Sequence, residues 1–163
     1  VGFTMSDRLE RNKKEVGCLR VLTEIVKFLD LLPNSNLSGK SLKAYKSVNS
    51  KHDVSVVVDD ARELNSDYFA ITIEVVNARS GLVALRLWFA VEASAARPVY
   101  LGYSTPYFRG EPNVEDRAGT MVTEVEYVCP LRLLDKEFLS DSVLDTLYDA
   151  LPNVYAFIVE LFE

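Results

Sequence analysis

Few residues of this chain are placed for covalent chemistry. Ser38-Gly39-Lys40-Ser41 has the look of the end of a phosphate-binding loop, in which backbone amides and a lysine cradle phosphates. The full pattern needs a glycine five residues before Gly39, where this chain has Asn34, and a strand running into it; here an apolar helical stretch and Pro33 precede it. The match reads as chance. His52 is the sole histidine, so a Ser-His-Asp arrangement would have to use it, and no G-x-S-x-G nucleophile elbow is present. Zinc needs several imidazole or thiolate ligands, and His52 with the two cysteines, Cys18 and Cys129, offers no recognisable ligand spacing. His52 stands just before a strand, where a surface position is expected. No cofactor and no metal are predicted.

Carboxylates are plentiful: Asp59-Asp60, Glu115-Asp116, and Glu124 with Glu126. Two positions apart on a strand, Glu124 and Glu126 share a face, a spacing that could serve a hard cation or an acid–base pair. A solvated strand face explains them as well. Asn36-Leu37-Ser38 fits a glycosylation sequon, which has meaning only in a secreted chain. Cys18 and Cys129 sit in apolar stretches (VGCLRVL and YVCPL), where reduced, structural thiols are expected.

The densest chemical signal is aromatic. Residues 97–112 (RPVYLGYSTPYFRGEP) hold Tyr100, Tyr103, Tyr107 and Phe108 among three prolines and two arginines, a composition enriched at protein-binding surfaces. The competing reading is that some of these rings fill the core beneath a loop.

The elements that must position these residues follow from periodicity. From Asp7 to Leu32 apolar residues recur at helical spacing (Cys18, Leu22, Ile25, Leu29, Leu32), with Ser6 as the expected cap and Pro33-Asn34 as the stop. Residues 33–52 read as a polar connection with one short ordered piece near Leu42–Val48. Asp53–Asp60, Tyr68–Val76 and Leu82–Glu92 form a strand meander. In the last of these Val83, Leu85, Leu87, Phe89 and Val91 point one way, and Ala84, Arg86, Trp88, Ala90 and Glu92 the other. With Asn77–Gly81 as the hairpin loop, the expected pairs are Val75–Val83, Ile73–Leu85, Ile71–Leu87 and Phe69–Phe89, all on one face. Val99–Ser104 and Thr120–Val128 are the fourth and fifth strands, separated by a long loop over Thr105–Gly119. Ser140 is the expected cap of a C-terminal helix that Pro152 interrupts or kinks. The expected architecture is α+β: an antiparallel meander of about five strands, with a long N-terminal helix and C-terminal helices packed on one face. Residues 1–6 read as a disordered start, of which 1–4 are an upstream stub or a cloning remnant, and 7–163 as one domain.

The chain's 163 residues, 48% hydrophobic and 26% charged, exclude a disordered chain, a collagen-like chain and a disulfide scaffold. Its net charge of −6 argues against a nucleic-acid binder. The charge is unevenly spread: residues 1–52 carry ten basic and five acidic side chains, the remainder eight and nineteen. No apolar run approaches a membrane span, and there is no signal core. A cytoplasmic location without membrane or nucleic-acid partners is expected.

The stretch Val54–Val99 (VSVVVDDARELNSDYFAITIEVVNARSGLVALRLWFAVEASAARPV) resembles the strand core of the SecB-like export chaperones: a strand, an L-x-x-D-x-Y/F approach, then two long strands about a short loop. The resemblance implies a cytosolic, acidic, oligomeric holdase, or its antitoxin-dedicated relative. The Phe/Tyr-Pro-Tyr-x-Arg and Leu-Pro-Pro elements of that family do not follow Cys129-Pro130-Leu131. The tail (CPLRLLDKEFLSDSVLDTLYDALPNVYAFIVELF) resembles type III secretion chaperones, in which a strand precedes a closing acidic helix.

Residues and resemblance together point to a non-catalytic protein-binding module, chaperone-like or antitoxin/immunity-like. It would engage a protein partner or client, a basic one in the specific version, and form homo-oligomers. The expected partner-binding residues are Arg86, Trp88, Arg97, Tyr100, Tyr103, Tyr107, Phe108 and Arg109. The apolar outer hairpin face (Ala70, Thr72, Ala84, Trp88, Ala90) needs a cover. Two alternatives stay open: a carboxylate enzyme using Glu124 and Glu126, metal-assisted or not, and a subunit of a larger, for example viral, assembly.

Overall fold

The computed structural model describes residues 4–32, 42–60, 68–92, 97–108, 121–135 and 138–163. The Ser38–Ser41 stretch, the Asn36 sequon, Glu115-Asp116 and Arg109 lie outside them. The order is α1 (Met5–Leu31), β1 (Leu42–Ser47), β2 (His52–Asp60), β3 (Tyr68–Asn77), β4 (Val83–Glu92), β5 (Arg97–Phe108), β6 (Met121–Pro130), a 3₁₀ turn (Leu131–Leu133) and α2 (Asp141–Phe162). The six strands form one antiparallel sheet in the order β1-β2-β3-β4-β5-β6. This is the α+β meander read from the sequence with one more strand. The short piece near Leu42, half-polar and with little alternation, becomes edge strand β1 because β2 offers it a partner, Leu42 opposite Val58 and Ser47 opposite Asp53.

α1 starts earlier than its apolar pattern indicates. Thr4, not Ser6, is the cap: its Oγ1 accepts the Asp7 N–H at 3.1 Å, and the Asp7 carboxylate accepts the Thr4 N–H at 3.2 Å. Residues 4–6 therefore belong to a capped helix start and not to a disordered lead. The helix buries Glu15, Cys18, Leu22, Ile25 and Leu29, one face at alternating spacings of three and four. Its first two turns expose Met5 and Leu9.

Pro152 does not break α2. The helix runs through it unbroken, with Pro152 on its exposed side. Val143, Leu144, Leu147, Leu151, Val154, Ile158 and Phe162 are buried in a stripe. Ser140 holds the N-cap position without a side-chain capping bond. Its N–H donates instead to the hydroxyl of Tyr103 at 3.2 Å, and that hydroxyl donates to the Phe138 carbonyl at 2.8 Å. The two helices pack side by side and in parallel: Lys14 meets Asp145, Gly17 lies against Tyr148, and Phe28 meets Tyr155 edge-to-face. Both cover the sheet face that carries Val54, Val56, Val58, Ile71, Ile73, Leu87, Phe89 and Leu101.

The β3–β4 register differs from the expected one by two residues. Val75 pairs with Leu85, Ile73 with Leu87, Ile71 with Phe89 and Phe69 with Val91. A bulge at Val75/Val76 sets this offset, and Gly81, at φ +74°, lets the turn close through its N–H to the Asn77 carbonyl at 2.8 Å. A two-residue slip preserves the face of every side chain, so the apolar set stays inside. β5 also runs further than expected. Thr105–Phe108, read as the start of a loop, continues the strand, with Tyr107 opposite Thr123 and Phe108 opposite Met121.

Candidate functional site

With both helices on one face, the other face of the sheet carries no element among the described residues. One register row crosses all six strands on that side: Lys43, Val57, Thr72, Trp88, Gly102 and Val128. Trp88 is half-buried although no helix covers it, because its indole lies directly over the Gly102 backbone. A β-carbon at Gly102 would fall inside the ring's Cε2 and Cζ2. Glycine is therefore required here by close approach, not by backbone angle. Val128 at this row's edge is 51% exposed.

The next row is polar: Tyr45, Ser55, Glu74, Arg86, Ser104 and Glu126 stand at successive register positions. Arg86 Nε donates to Glu74 Oε2 at 3.0 Å, with both side chains about one-third exposed. Tyr45 at the edge is 64% exposed. Its phenol is pushed up by a hydrogen bond to Asp53. On the other side of the tryptophan row stand Asp59, Ala70, Ala90, Tyr100 and Pro130. The face thus has an apolar centre around one tryptophan. Among the described positions, Asp53, Asp59, Glu74, Glu92, Glu124 and Glu126 set six acidic residues against Lys43, Arg86 and Arg97.

Of the residues singled out in the sequence, Arg86, Trp88 and Tyr100 come together on this face. Arg97 opens β5 opposite Glu92, and Tyr107 and Phe108 lie at the strand's far end. Tyr103 does not join them. It is fully buried, stacked edge-to-face on Phe138 at 4.9 Å, and its hydroxyl serves the entry to α2. Alternation explains this: in a strand, Tyr100 and Tyr103 fall on opposite faces. Sequence reasoning missed Val57, Gly102 and Val128, which reach the site only through strand pairing.

The remaining candidates have other surroundings. Cys18 is buried and its thiol donates to the Leu144 carbonyl at 3.8 Å; burial pushes its pKa up to about 12, far from thiolate chemistry. Burial pushes the Cys129 thiol up as well. His52 is buried and not at the surface, for it begins β2 on the inner face. No group of three His, Cys, Asp or Glu side chains among the described residues is gathered for a metal. No helix there is long and apolar enough to cross a membrane. Comparison with known proteins returns no matching family model, no similar curated protein and no similar solved structure.

Proposed function

We propose that this chain is a non-catalytic protein-binding domain whose partner docks on the open face of the sheet, over Trp88. The observation that carries the reading is the pairing of an aromatic ring packed against Gly102 with a row, Val57 and Val128 included, that no part of the described chain covers. Aromatic anchors at the centre of a patch ringed by polar groups are the usual source of interface affinity. The surplus of carboxylates around that centre selects the partner's chemistry: a polypeptide presenting apolar side chains flanked by Lys or Arg. A chaperone-like or antitoxin-like role is the form this takes if the resemblance to SecB-like proteins holds.

Trp88 is the only tryptophan, so its fluorescence reports directly from the proposed surface. Titration with a synthetic peptide of alternating lysine and leucine is expected to shift its emission saturably, less so as salt rises. Thr72→Lys, which places a cation beside Trp88, is expected to abolish the response, while Glu24→Lys on the exposed side of α1 leaves it unchanged. A response lost equally in both variants would reduce the effect to net charge and sink the assignment. So would light scattering showing that this face is occupied by a second copy.

A further inference from the structure

A separate feature lies at the end of the sheet where β2 begins. The β1–β2 turn, the β3–β4 turn and the start of α2 enclose a hollow of about 420 Å³ whose lining includes Lys51, His52, Arg79, Asp145 and Asp149. Its walls are built rigidly. Asn49 Oδ1 accepts the N–H groups of Lys51 and His52, each at 2.8 Å. Asn77 Oδ1 accepts those of Arg79 and Ser80, each at 3.0 Å. The Ala78 N–H donates to the Lys51 carbonyl at 3.0 Å and ties one turn to the other.

His52 lines this hollow while only 7% exposed, and its Nδ1 is buried with no hydrogen-bond partner. Nδ1 is sealed from the hollow, so a ligand there can reach the ring only at its other nitrogen. Burial lowers the imidazole's pKa, with Asp149 acting against that and Lys51 adding to it. The ring is therefore neutral near pH 7, and Nε2 is the nitrogen left to meet a ligand. The charges around it nearly cancel. Lys14 holds Asp145 at 2.7 Å and Lys51 faces Asp149 at 3.4 Å, whereas the Arg79 guanidinium makes no ion pair among the described residues.

We infer that this hollow binds a small monocarboxylate, gripped by the Arg79 guanidinium and hydrogen-bonded by His52, with the Ser50 and Thr146 hydroxyls within the same lining. One uncompensated cation suits one negative charge, and a planar fork suits a carboxylate. With Lys14 and Lys51 paired to Asp145 and Asp149, a dianion such as phosphate would find only half of its charge answered by Arg79. This inference stands apart from partner docking, since the hollow opens between the sheet end and α2 and not on the open face.

The test uses His52, whose ring signals are the only imidazole signals in the chain's NMR spectrum. Acetate, propionate and benzoate are titrated in turn, with inorganic phosphate and benzylamine as comparisons. At least one monocarboxylate is expected to shift the His52 signals saturably and to raise its pKa, because a neighbouring anion favours the imidazolium. Arg79→Ala, at an exposed turn, should weaken half-saturation about tenfold or more, and Lys27→Ala on α1 should leave it unchanged. The inference is overturned if no monocarboxylate gives a saturable shift, if Arg79→Ala binds as tightly as the parent, or if phosphate or benzylamine binds more tightly.

Discussion

At the scale of single residues, the decisive contact is between Trp88 and Gly102. Alternation along β4 was enough to turn Trp88 outward, since the apolar set Leu85, Leu87, Phe89 and Val91 claims the inner face. The role of Gly102 was not legible, because a glycine's reason for being in a strand lies in the neighbouring strand. Tyr103 shows the same limit. Counted with the aromatic segment it resembled a surface anchor; the expected strand Val99–Ser104 already puts Tyr100 and Tyr103 on opposite faces, but only the pairing with β4, Tyr103 opposite the buried Leu87, says which of the two points inward. Gly102→Ala should force the indole off the sheet and cost about 1–3 kcal/mol, as overpacking does. Urea unfolding should show the loss, and the emission of the lone tryptophan should move to the red as the ring enters water. An unchanged spectrum would mean that the ring does not rest on Gly102.

At the scale of elements, patterns internal to one segment were legible and those made by two segments were not. The α1 stripe, the β2–β4 runs and the α2 stripe each carry their own periodicity. The hairpin register, by contrast, depends on the bulge at Val75/Val76 and on the turn geometry at Gly81. β1 exists because β2 pairs with it. The entry to α2 likewise depends on a distant strand: the Tyr103 hydroxyl joins the Phe138 carbonyl to the Ser140 N–H across more than thirty residues of chain. Tyr103→Phe keeps the ring and removes only that link, taking one hydrogen bond each from two half-buried backbone groups. We expect a loss of about 1–3 kcal/mol, with faster amide exchange in the first turn of α2 than elsewhere in the helix. Exchange rising evenly along α2 would instead mark a general loosening of the core.

At the scale of the whole molecule, the uneven charge finds its place. Among the described residues the basic N-terminal third meets the acidic C-terminal helix in three ion pairs, Lys14–Asp145, Lys46–Glu160 and Lys51–Asp149. These pairs are exposed and individually weak, so they orient α2 more than they hold it. The larger contribution is the apolar contact beneath, where Leu22, Ile25 and Leu29 of α1 share one cluster with Leu147, Leu151 and Val154 of α2.

That arrangement has a consequence for how the chain assembles. Every strand pairs only with its neighbours in sequence, so the sheet can grow hairpin by hairpin, each step joining segments far closer in the chain than the two helices are. The helix pair unites segments as far apart as Lys14 and Asp145, 131 residues, and its loop-closure entropy is smallest once the meander has brought the ends together. Leu22→Ala, a cavity in that late contact, should cost about 2–5 kcal/mol. In stopped-flow experiments nearly all of the loss should appear as faster unfolding, with the refolding rate close to the parent's; slowed refolding would put the helices in the nucleus instead. The meander then sets how quickly the chain reaches its native state, and the helices from its two ends set how long it stays there.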